Sequence, residues 1–293
     1  MNVSNFLKNM MLGIAALALV TGLAGMTLYE TNISVLGPRR WLGLYIWKSI
    51  SPHRYTTVDG ARIYYETYGN GRPVLVLHGG LSSIEGMSRQ IRALVSSRYV
   101  IAPDSRGHGR SSESNAPLSY ALMSDDMLEL IDQLKLDQVD VVGWSDGAII
   151  GLDLAMRHPN RVNRLVAISG NFDVSGLQAS SSNTELSDTE VPPTPLSYRL
   201  LAPDPAHWPV FYGKVIEMWR TQPHYTLSDL SHIEAPTLVV AGESDLVRRD
   251  HTDQLANAIP KSQELIVQGA GHDVIYKKAP IVNSAILQFL GDN

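Results

Sequence analysis

The sequence contains no cysteine. Disulfide bonds, thiolate nucleophiles and zinc sites built from cysteine are therefore excluded. A chain without thiols is indifferent to the redox state of its surroundings, so this absence does not distinguish a cytoplasmic protein from an exported one.

Long runs of basic residues are also absent, since the longest clusters are the pairs Arg39-Arg40 and Arg248-Arg249. The net charge of the 293 residues is −5, which is mildly acidic. A surface that binds nucleic acid needs clustered positive charge, so we expect no nucleic-acid partner. The composition, 44% hydrophobic and 18% charged, is ordinary for a globular protein.

The N-terminus carries an uncharged, mostly apolar run of about 20 residues at 10–29. A helix of roughly 20 such residues can span a bilayer, so residues 1–30 are predicted to be a transmembrane anchor. A cleaved signal peptide is the alternative, with Gly22-Leu23-Ala24 as a weak cleavage site, and a buried helix is a third interpretation. Either of the first two predicts an extracytoplasmic protein, periplasmic or secreted.

Residues 31–54 are predicted to be a linker or an interfacial helix. Trp41, Tyr45 and Trp47 stand close to basic residues there, a combination that is favoured at membrane interfaces. A helix packed on the following domain is the alternative. With the preceding apolar run, this segment leads us to expect membrane association through the N-terminus.

From residue 55 to residue 293, patterns typical of strands alternate with patterns typical of helices. Short apolar runs at 74–77 and 139–142 suit strands that are buried on both faces. The alternation predicts an α/β domain with a mostly parallel sheet covered on both faces by helices. Residues 171–234 interrupt it with polar and proline-rich segments, and we expect them to form a small cap with a few short helices.

The motif Gly143-Trp144-Ser145-Asp146-Gly147 lies directly between a predicted buried strand and a predicted helix. This is the context of a G-x-S-x-G elbow, in which a strained turn exposes the serine hydroxyl. Glycines two residues to either side avoid collisions with the neighbouring backbone. The pattern predicts Ser145 as a catalytic nucleophile, against the alternative of a buried structural serine.

A serine nucleophile needs a base and an acid that orients the base. In folds with this elbow the acid and then the histidine follow the serine along the chain. Asp245 and His272 each come just after a later predicted strand, so both should reach the edge of the sheet that carries Ser145. We predict His272 as the base and Asp245 as the acid, with three other candidate acids: Glu243, Asp273 and Asp173.

Stabilisation of the oxyanion requires backbone N–H donors where negative charge develops. One is predicted at Asp146, which follows the nucleophile, and the second at Gly80 in the loop His78-Gly79-Gly80-Leu81, with Leu81 as the alternative. His78 is expected to hold this turn rather than to act as a second base. The Asp146 carboxylate is expected to be solvated or hydrogen-bonded at the helix start, the alternative being recognition of a cationic substrate.

The same residues carry a resemblance to a known family. The His78-Gly79-Gly80 loop, the turn from Asp104 to Ser111, the elbow, Asp245 and His272 resemble the α/β-hydrolase superfamily. The resemblance covers about residues 55–290. Within the superfamily the Trp-Ser-Asp elbow is similar to that of biphenyl-hydrolase-like esterases and enol-lactonases, with Ala148 in place of a common second glycine. The turn that begins at Asp104 is structural in that family.

The resemblance implies the α/β-hydrolase fold and hydrolysis of small or medium esters through an acyl-enzyme, without a metal or other cofactor. The alternatives are a lactonase or enol-lactonase, then an amidase of the proline-iminopeptidase type. That type usually has a proline where Leu81 stands. A non-catalytic ligand-binding protein is disfavoured, because a receptor has no need of a complete triad. Three further histidines, His224, His232 and His251, are expected to be solvated.

Overall fold

The structure is a computed structural model, and it describes residues 53–178 and 191–291. Eight strands form one sheet in the order β1-β2-β4-β3-β5-β6-β7-β8. The strands are β1 His53–Val58, β2 Ala61–Tyr68, β3 Arg72–Leu77, β4 Arg98–Pro103, β5 Val139–Trp144, β6 Val162–Ile168, β7 Thr237–Ser244 and β8 Ser262–Gly271.

Helices follow most of the strands. In chain order they are α1 Ser88–Leu94, α2 Tyr120–Gln133, α3 Asp146–Arg157, α4 Leu196–Leu201, α5 Trp208–Thr221, α6 Leu227–Leu230, α7 Arg249–Ala258, α8 Val274–Lys277 and α9 Ala279–Leu290. Helix α2 packs against α3, and α1 packs against α9.

The sheet is parallel from β4 to β8, whereas β2 pairs antiparallel with both β1 and β4. Consecutive residues 74–77 of β3 are all buried. Since neighbouring side chains of a strand point to opposite faces, both faces of β3 are covered. The predicted mostly parallel, doubly covered sheet is confirmed.

Strand β1 was not predicted, although its signal was present. Asp59 and Gly60 both have positive φ, 42° and 75°, and they join β1 to β2 in a two-residue hairpin. Asp-Gly is a strong hairpin signal because a type I′ turn needs positive φ at both positions. The hairpin lengthens the sheet at its antiparallel edge, far in strand order from β5.

The predicted cap contains α4, α5 and α6 within the described residues. Helix α5 has 14 residues, longer than the short helices that we expected. Its buried face presents Trp208, Phe211, Val215 and Met218 to the main hydrophobic core. This spacing is that of one helical face, so α5 is part of the domain core and holds the cap on it.

No helix within residues 53–178 and 191–291 is long and apolar enough to cross a membrane. The longest of them, α2 and α5, have 14 residues each, fewer than the roughly 20 that a bilayer requires. For the part of the chain that the structure describes, the expectations of a transmembrane helix and of membrane association are corrected accordingly. Residues 1–52, which include the run at 10–29, lie outside the described residues. The signal peptide, the domain limits and the extracytoplasmic location stay predictions.

A buried ion pair joins two strands to the last helix. Arg98 Nη1 lies 2.5 Å from Asp140 Oδ2, and Arg98 Nη2 donates to the carbonyl of Leu290 at the end of α9. Arg98 and Asp140 are 1% and 2% exposed. Removing one partner of such a pair leaves a buried charge uncompensated, which costs about 3–5 kcal/mol.

We therefore expect Arg98→Met to lower the free energy of unfolding by about 3–5 kcal/mol in urea denaturation of the full chain. Arg249→Met is the control, because the ion pair between Arg249 and Asp253 is exposed and pairs of that kind contribute about 0–1 kcal/mol. Equal losses in the two variants would contradict the assignment of Arg98 as an anchor of α9.

Candidate active site

Ser145 occupies the turn between β5 and α3. Its φ of 55° and ψ of −122° are unusual for a residue with a side chain. A Cβ atom at Gly143 would collide with the backbone of Gly147, and one at Gly147 would collide with the carbonyl of Leu77. The two glycines are thus required by the close approach of backbone segments, as the elbow motif predicts.

The structure brings Ser145, His272 and Asp245 into one chain of hydrogen bonds. Ser145 Oγ lies 2.9 Å from His272 Nε2, and His272 Nδ1 lies 2.7 Å from Asp245 Oδ1. The three residues come from the ends of β5, β7 and β8, which meet at the same edge because these strands are parallel. In this arrangement the imidazole can take a proton from the serine while the carboxylate holds its orientation.

The Asp245 carboxylate is buried and accepts several hydrogen bonds. Ser169 Oγ donates to Oδ2 at 2.6 Å, and the backbone N–H of Gly242 donates to the same oxygen at 3.2 Å. Burial alone would raise the pKa of Asp245, but the hydrogen bonds from His272 and Ser169 outweigh it and hold the pKa below its usual value. The acid is therefore ionised at neutral pH.

The other candidate acids are bonded elsewhere. Glu243 accepts from the N–H of Gly269 at 3.0 Å, and Asp273 pairs with Lys277 on α8 at 3.0 Å. Asp173 pairs with the exposed His224 at 2.8 Å. Of the four carboxylates proposed from the sequence, Asp245 is the one bonded to His272.

The predicted oxyanion donors lie beside the nucleophile. Gly80, Leu81 and Asp146 line the same cavity as Ser145. Asp146 is the first residue of α3, so its N–H has no partner within the helix. A Cβ at Gly80 would overlap the Asp146 carboxylate and the Trp219 ring, so only glycine fits the loop there. The catalytic roles of Gly80 and Asp146 stay predictions.

The Asp146 carboxylate is buried and hydrogen-bonded. Tyr120 Oη donates to it at 3.1 Å, and Trp219 Nε1 of α5 donates to its two oxygens at 3.0 and 2.9 Å. Burial raises the pKa of Asp146 to about 6, although these hydrogen bonds and His272 pull it back. The hydrogen-bonded interpretation is thus the one that the geometry supports, and Trp219 connects the cap to the start of α3.

Trp144 is a residue of the site that the sequence analysis did not single out. Its indole Nε1 donates to the backbone carbonyl of His272 at 2.9 Å, and its ring lies 5.5 Å from the His272 ring. This hydrogen bond joins the elbow directly to the loop that carries the base, His272. The contact spans 128 positions along the chain, so no local pattern could have revealed it.

His78 and Asp104, which the sequence analysis also named, hold the turns around the site through hydrogen bonds to the backbone. His78 Nε2 accepts from the N–H of Ser105 at 2.9 Å, which confirms that it holds the turn. Asp104 is fully buried and accepts from the N–H groups of Ile84 and Arg110 at 2.8 and 2.9 Å.

The prediction that His251 is solvated is wrong. It is 2% exposed, is stacked on Phe172 at 3.8 Å between ring centroids and accepts from the Phe172 N–H. Burial, with a further contribution from Arg248, lowers the pKa of His251 to about 4. The other two histidines are exposed, as expected.

A cavity of about 380 Å³ opens at Ser145 and His272, within the usual range for small-molecule sites. Its apolar wall comes from the cap and from the loops after β3, β6 and β7. The main apolar lining residues are Leu81, Leu177, Tyr212, Ile216, Trp219, Leu246 and Val247. Neither lysine nor arginine is among the residues that line it. The space therefore suits a small, largely apolar, uncharged molecule.

In the part of the chain that the structure describes, no group of three or more His, Asp or Glu side chains is placed so that it could hold a metal ion. That the reaction needs neither metal nor cofactor stays a prediction.

Comparisons with known proteins agree with this geometry. A family model described as "Alpha/beta hydrolase family" matches residues 74–282. A protein named "Putative carbamate hydrolase RutD" from Caulobacter sp. (strain K31) is 31% identical over 80% of this chain and 97% of its own length.

Two solved structures are similar. One is described as "Est816 as an N-Acyl homoserine lactone degrading enzyme", with a TM-score of 0.67 and 26% identity over 80% of this chain and all of its own. The enol-lactonase from Burkholderia xenovorans LB400 shares the fold, with a TM-score of 0.65 and 22% identity over 81% of this chain and all of its own. The resemblance inferred from the motifs is confirmed, and the chain belongs to the alpha/beta hydrolase family.

Proposed function

We propose that this protein is a serine esterase, which hydrolyses carboxylic esters of small or medium size through an acyl-enzyme. The observation that carries the proposal is the continuous chain of hydrogen bonds from Ser145 Oγ through His272 to Asp245, with Ser145 lining a cavity of about 380 Å³. A non-catalytic receptor would need the cavity but not the three bonded groups.

The first half-reaction forms the acyl-enzyme. Ser145 Oγ attacks the ester carbonyl while His272 Nε2 takes the hydroxyl proton. His272 then protonates the departing alkoxide, so that an alcohol leaves. Asp245 stabilises the imidazolium that exists between these steps, and its lowered pKa keeps it ionised for this purpose.

The second half-reaction releases the acid. A water molecule gives its proton to His272 and attacks the acyl carbon, and the proton returns to Ser145 Oγ as the acyl–oxygen bond breaks. In both halves the oxyanion is held by the N–H groups of Asp146 and Gly80. A donor of this kind lowers the barrier by about 2.7–4 kcal/mol.

The composition of the cavity supports a substrate without a negative charge. A substrate carboxylate or phosphate would find no lysine or arginine on the cavity wall and would meet the Asp146 carboxyl at its floor. Burying an unpaired charge is costly. Small neutral esters are therefore favoured over anionic substrates.

Lactone hydrolysis is the second candidate. A lactone is an intramolecular ester, so the same residues perform the same steps, and the leaving alkoxide stays attached to the acyl group. The solved lactone-degrading relative at 26% identity favours it. Carbamate cleavage is suggested by the name of the relative at 31% identity, whereas nothing in the site favours the amidase alternative.

The test is a substrate panel on the purified protein with a fluorophosphonate probe for the nucleophile. We expect covalent labelling at Ser145, turnover of p-nitrophenyl acetate and butyrate, and slower turnover of aminoacyl p-nitroanilides. γ-Lactones and a p-nitrophenyl carbamate complete the panel and decide among the alternatives. Absence of labelling in the folded protein would contradict the serine hydrolase proposal as a whole.

A further inference from the structure

Asn171 lies on the wall of the catalytic cavity in the loop that follows β6. It is 6% exposed, so most of its surface is covered by protein. The backbone N–H of Ser145 donates to the carbonyl of Ile168 at 2.8 Å. Three residues of extended chain span at most about 10–11 Å, and Asn171 and Ser145 line the same cavity.

One side of the Asn171 amide is already used. Its Nδ2 donates to the backbone carbonyl of Asp173 at 3.0 Å, which orients the group. Its Oδ1 has no hydrogen-bond partner among residues 53–178 and 191–291. The buried polar side-chain atoms that lack a partner do not include this oxygen, so it is accessible and can accept a hydrogen bond from a molecule bound in the cavity.

Several hydrogen-bond donors near Ser145 already donate to acceptors within the protein. Trp219 Nε1 and Tyr120 Oη both donate to Asp146, and Trp144 Nε1 donates to the carbonyl of His272. Within the described part of the chain, the wall thus has an acceptor without a protein partner at Asn171, while several of its donors are occupied. A substrate that brings its own donor is complementary to such a wall.

We propose that Asn171 determines specificity by accepting a hydrogen bond from an amide N–H or a hydroxyl of the substrate, located a few bonds from the scissile carbonyl. The inference rests on the proposed function and adds a substrate class to it, namely small uncharged acyl compounds that carry a donor. Leaving a buried donor or acceptor unpaired lowers kcat/KM by about 10- to 100-fold.

The experiment compares p-nitrophenyl esters in which an N–H is replaced by a methylene of similar size. The first pair is N-acetylglycine and 4-oxopentanoate, and the second is N-acetyl-β-alanine and 5-oxohexanoate. For at least one pair we expect the wild-type protein to prefer the amide by 10-fold or more in kcat/KM. In Asn171→Leu the preference should fall to about 1, with p-nitrophenyl acetate, which has no donor, as the reference substrate for the overall activity of each variant.

Two further variants complete the design. Asn171→Ala also removes the acceptor and should lose the amide preference. Asn257→Leu is the matched control, since Asn257 is exposed on α7, and it should behave as wild type. If Asn171→Leu fails to fold, loss of the preference in Asn171→Ala supports the proposal and its retention refutes it.

A wild-type preference below about 3-fold for both pairs would overturn the inference, as would an unchanged preference in a folded Asn171→Leu. These outcomes leave the proposed function standing if p-nitrophenyl acetate is still hydrolysed. Failure of the proposed function has a different signature, in which the wild-type protein neither hydrolyses the acetate nor reacts with fluorophosphonate. In that case the inference falls with it.

Discussion

Replacement of Ser145 by alanine is expected to lower kcat for p-nitrophenyl butyrate by a factor of about 10⁶. The triad acts as a unit, so removal of the nucleophile removes nearly all of its contribution. Rate acceleration of about 10³–10⁴ over water is expected to persist, because the cavity and the oxyanion donors are still present. Steady-state kinetics with the purified variant, with and without fluorophosphonate, measure both effects.

Ser145→Ala is expected to fold as the wild-type protein does, because alanine can occupy the same backbone conformation. The φ of 55° is imposed by the turn between β5 and α3, and the Ser145 backbone N–H keeps its bond to Ile168. Ser228→Ala, at an exposed position of α6, is the control. A Ser145→Ala protein that unfolds at the wild-type temperature and still turns over ester within 10-fold of wild type would exclude Ser145 as the nucleophile.

Asp245→Asn is expected to lower kcat by about 10⁴-fold with little change in stability. His272 Nδ1 lies 2.7 Å from Asp245 Oδ1, and the carboxylate can only accept there, which places the proton on Nδ1 and leaves Nε2 free to accept from Ser145. An asparagine amide can donate to Nδ1 instead, which favours the other tautomer and occupies Nε2 with a proton. Kinetics across pH 6–9 with p-nitrophenyl acetate measure the loss.

Glu243→Gln is the matched control for this prediction. Glu243 lies two positions from Asp245 and is exposed, and it accepts from Gly269 rather than from His272. We expect kcat of Glu243→Gln to stay within about 3-fold of wild type. The reverse result, with a large loss in Glu243→Gln and a small one in Asp245→Asn, would assign the acid to Glu243.

The central strands could be predicted because their information is local. A run such as 74–77 is buried on both faces in the folded protein, and apolar β-branched runs of this length are typical of such strands. The elbow was predictable for a similar reason, since the required glycines lie two residues from Ser145. Asp245 and His272 each follow a later strand. Because these strands are parallel, their carboxyl ends meet at the same edge of the sheet, which brings the two residues together.

The predictions that failed depended on distant parts of the chain. His251 reads as a polar residue on an amphipathic helix, but its ring is stacked on Phe172 from the loop after β6. Only short helices were predicted in the cap, because the apolar residues of α5 can be recognised as one buried face only when the core that they contact is known. The membrane expectation was drawn from composition at 10–29, whereas none of the helices that the structure describes can cross a membrane.

The sequence by itself determined the α/β class, the nucleophile candidate Ser145 and the candidates Asp245 and His272, because strand patterns and a tight turn are properties of neighbouring residues. The tertiary structure decided which carboxylate bonds His272, since Glu243, Asp173 and Asp273 are bonded to other groups. It also decided that Trp144 joins the elbow to the loop that carries His272, and that the Asn171 amide oxygen on the cavity wall has no hydrogen-bond partner among the described residues. Those contacts join residues brought together by the sheet and the cap, and their distances are set by packing.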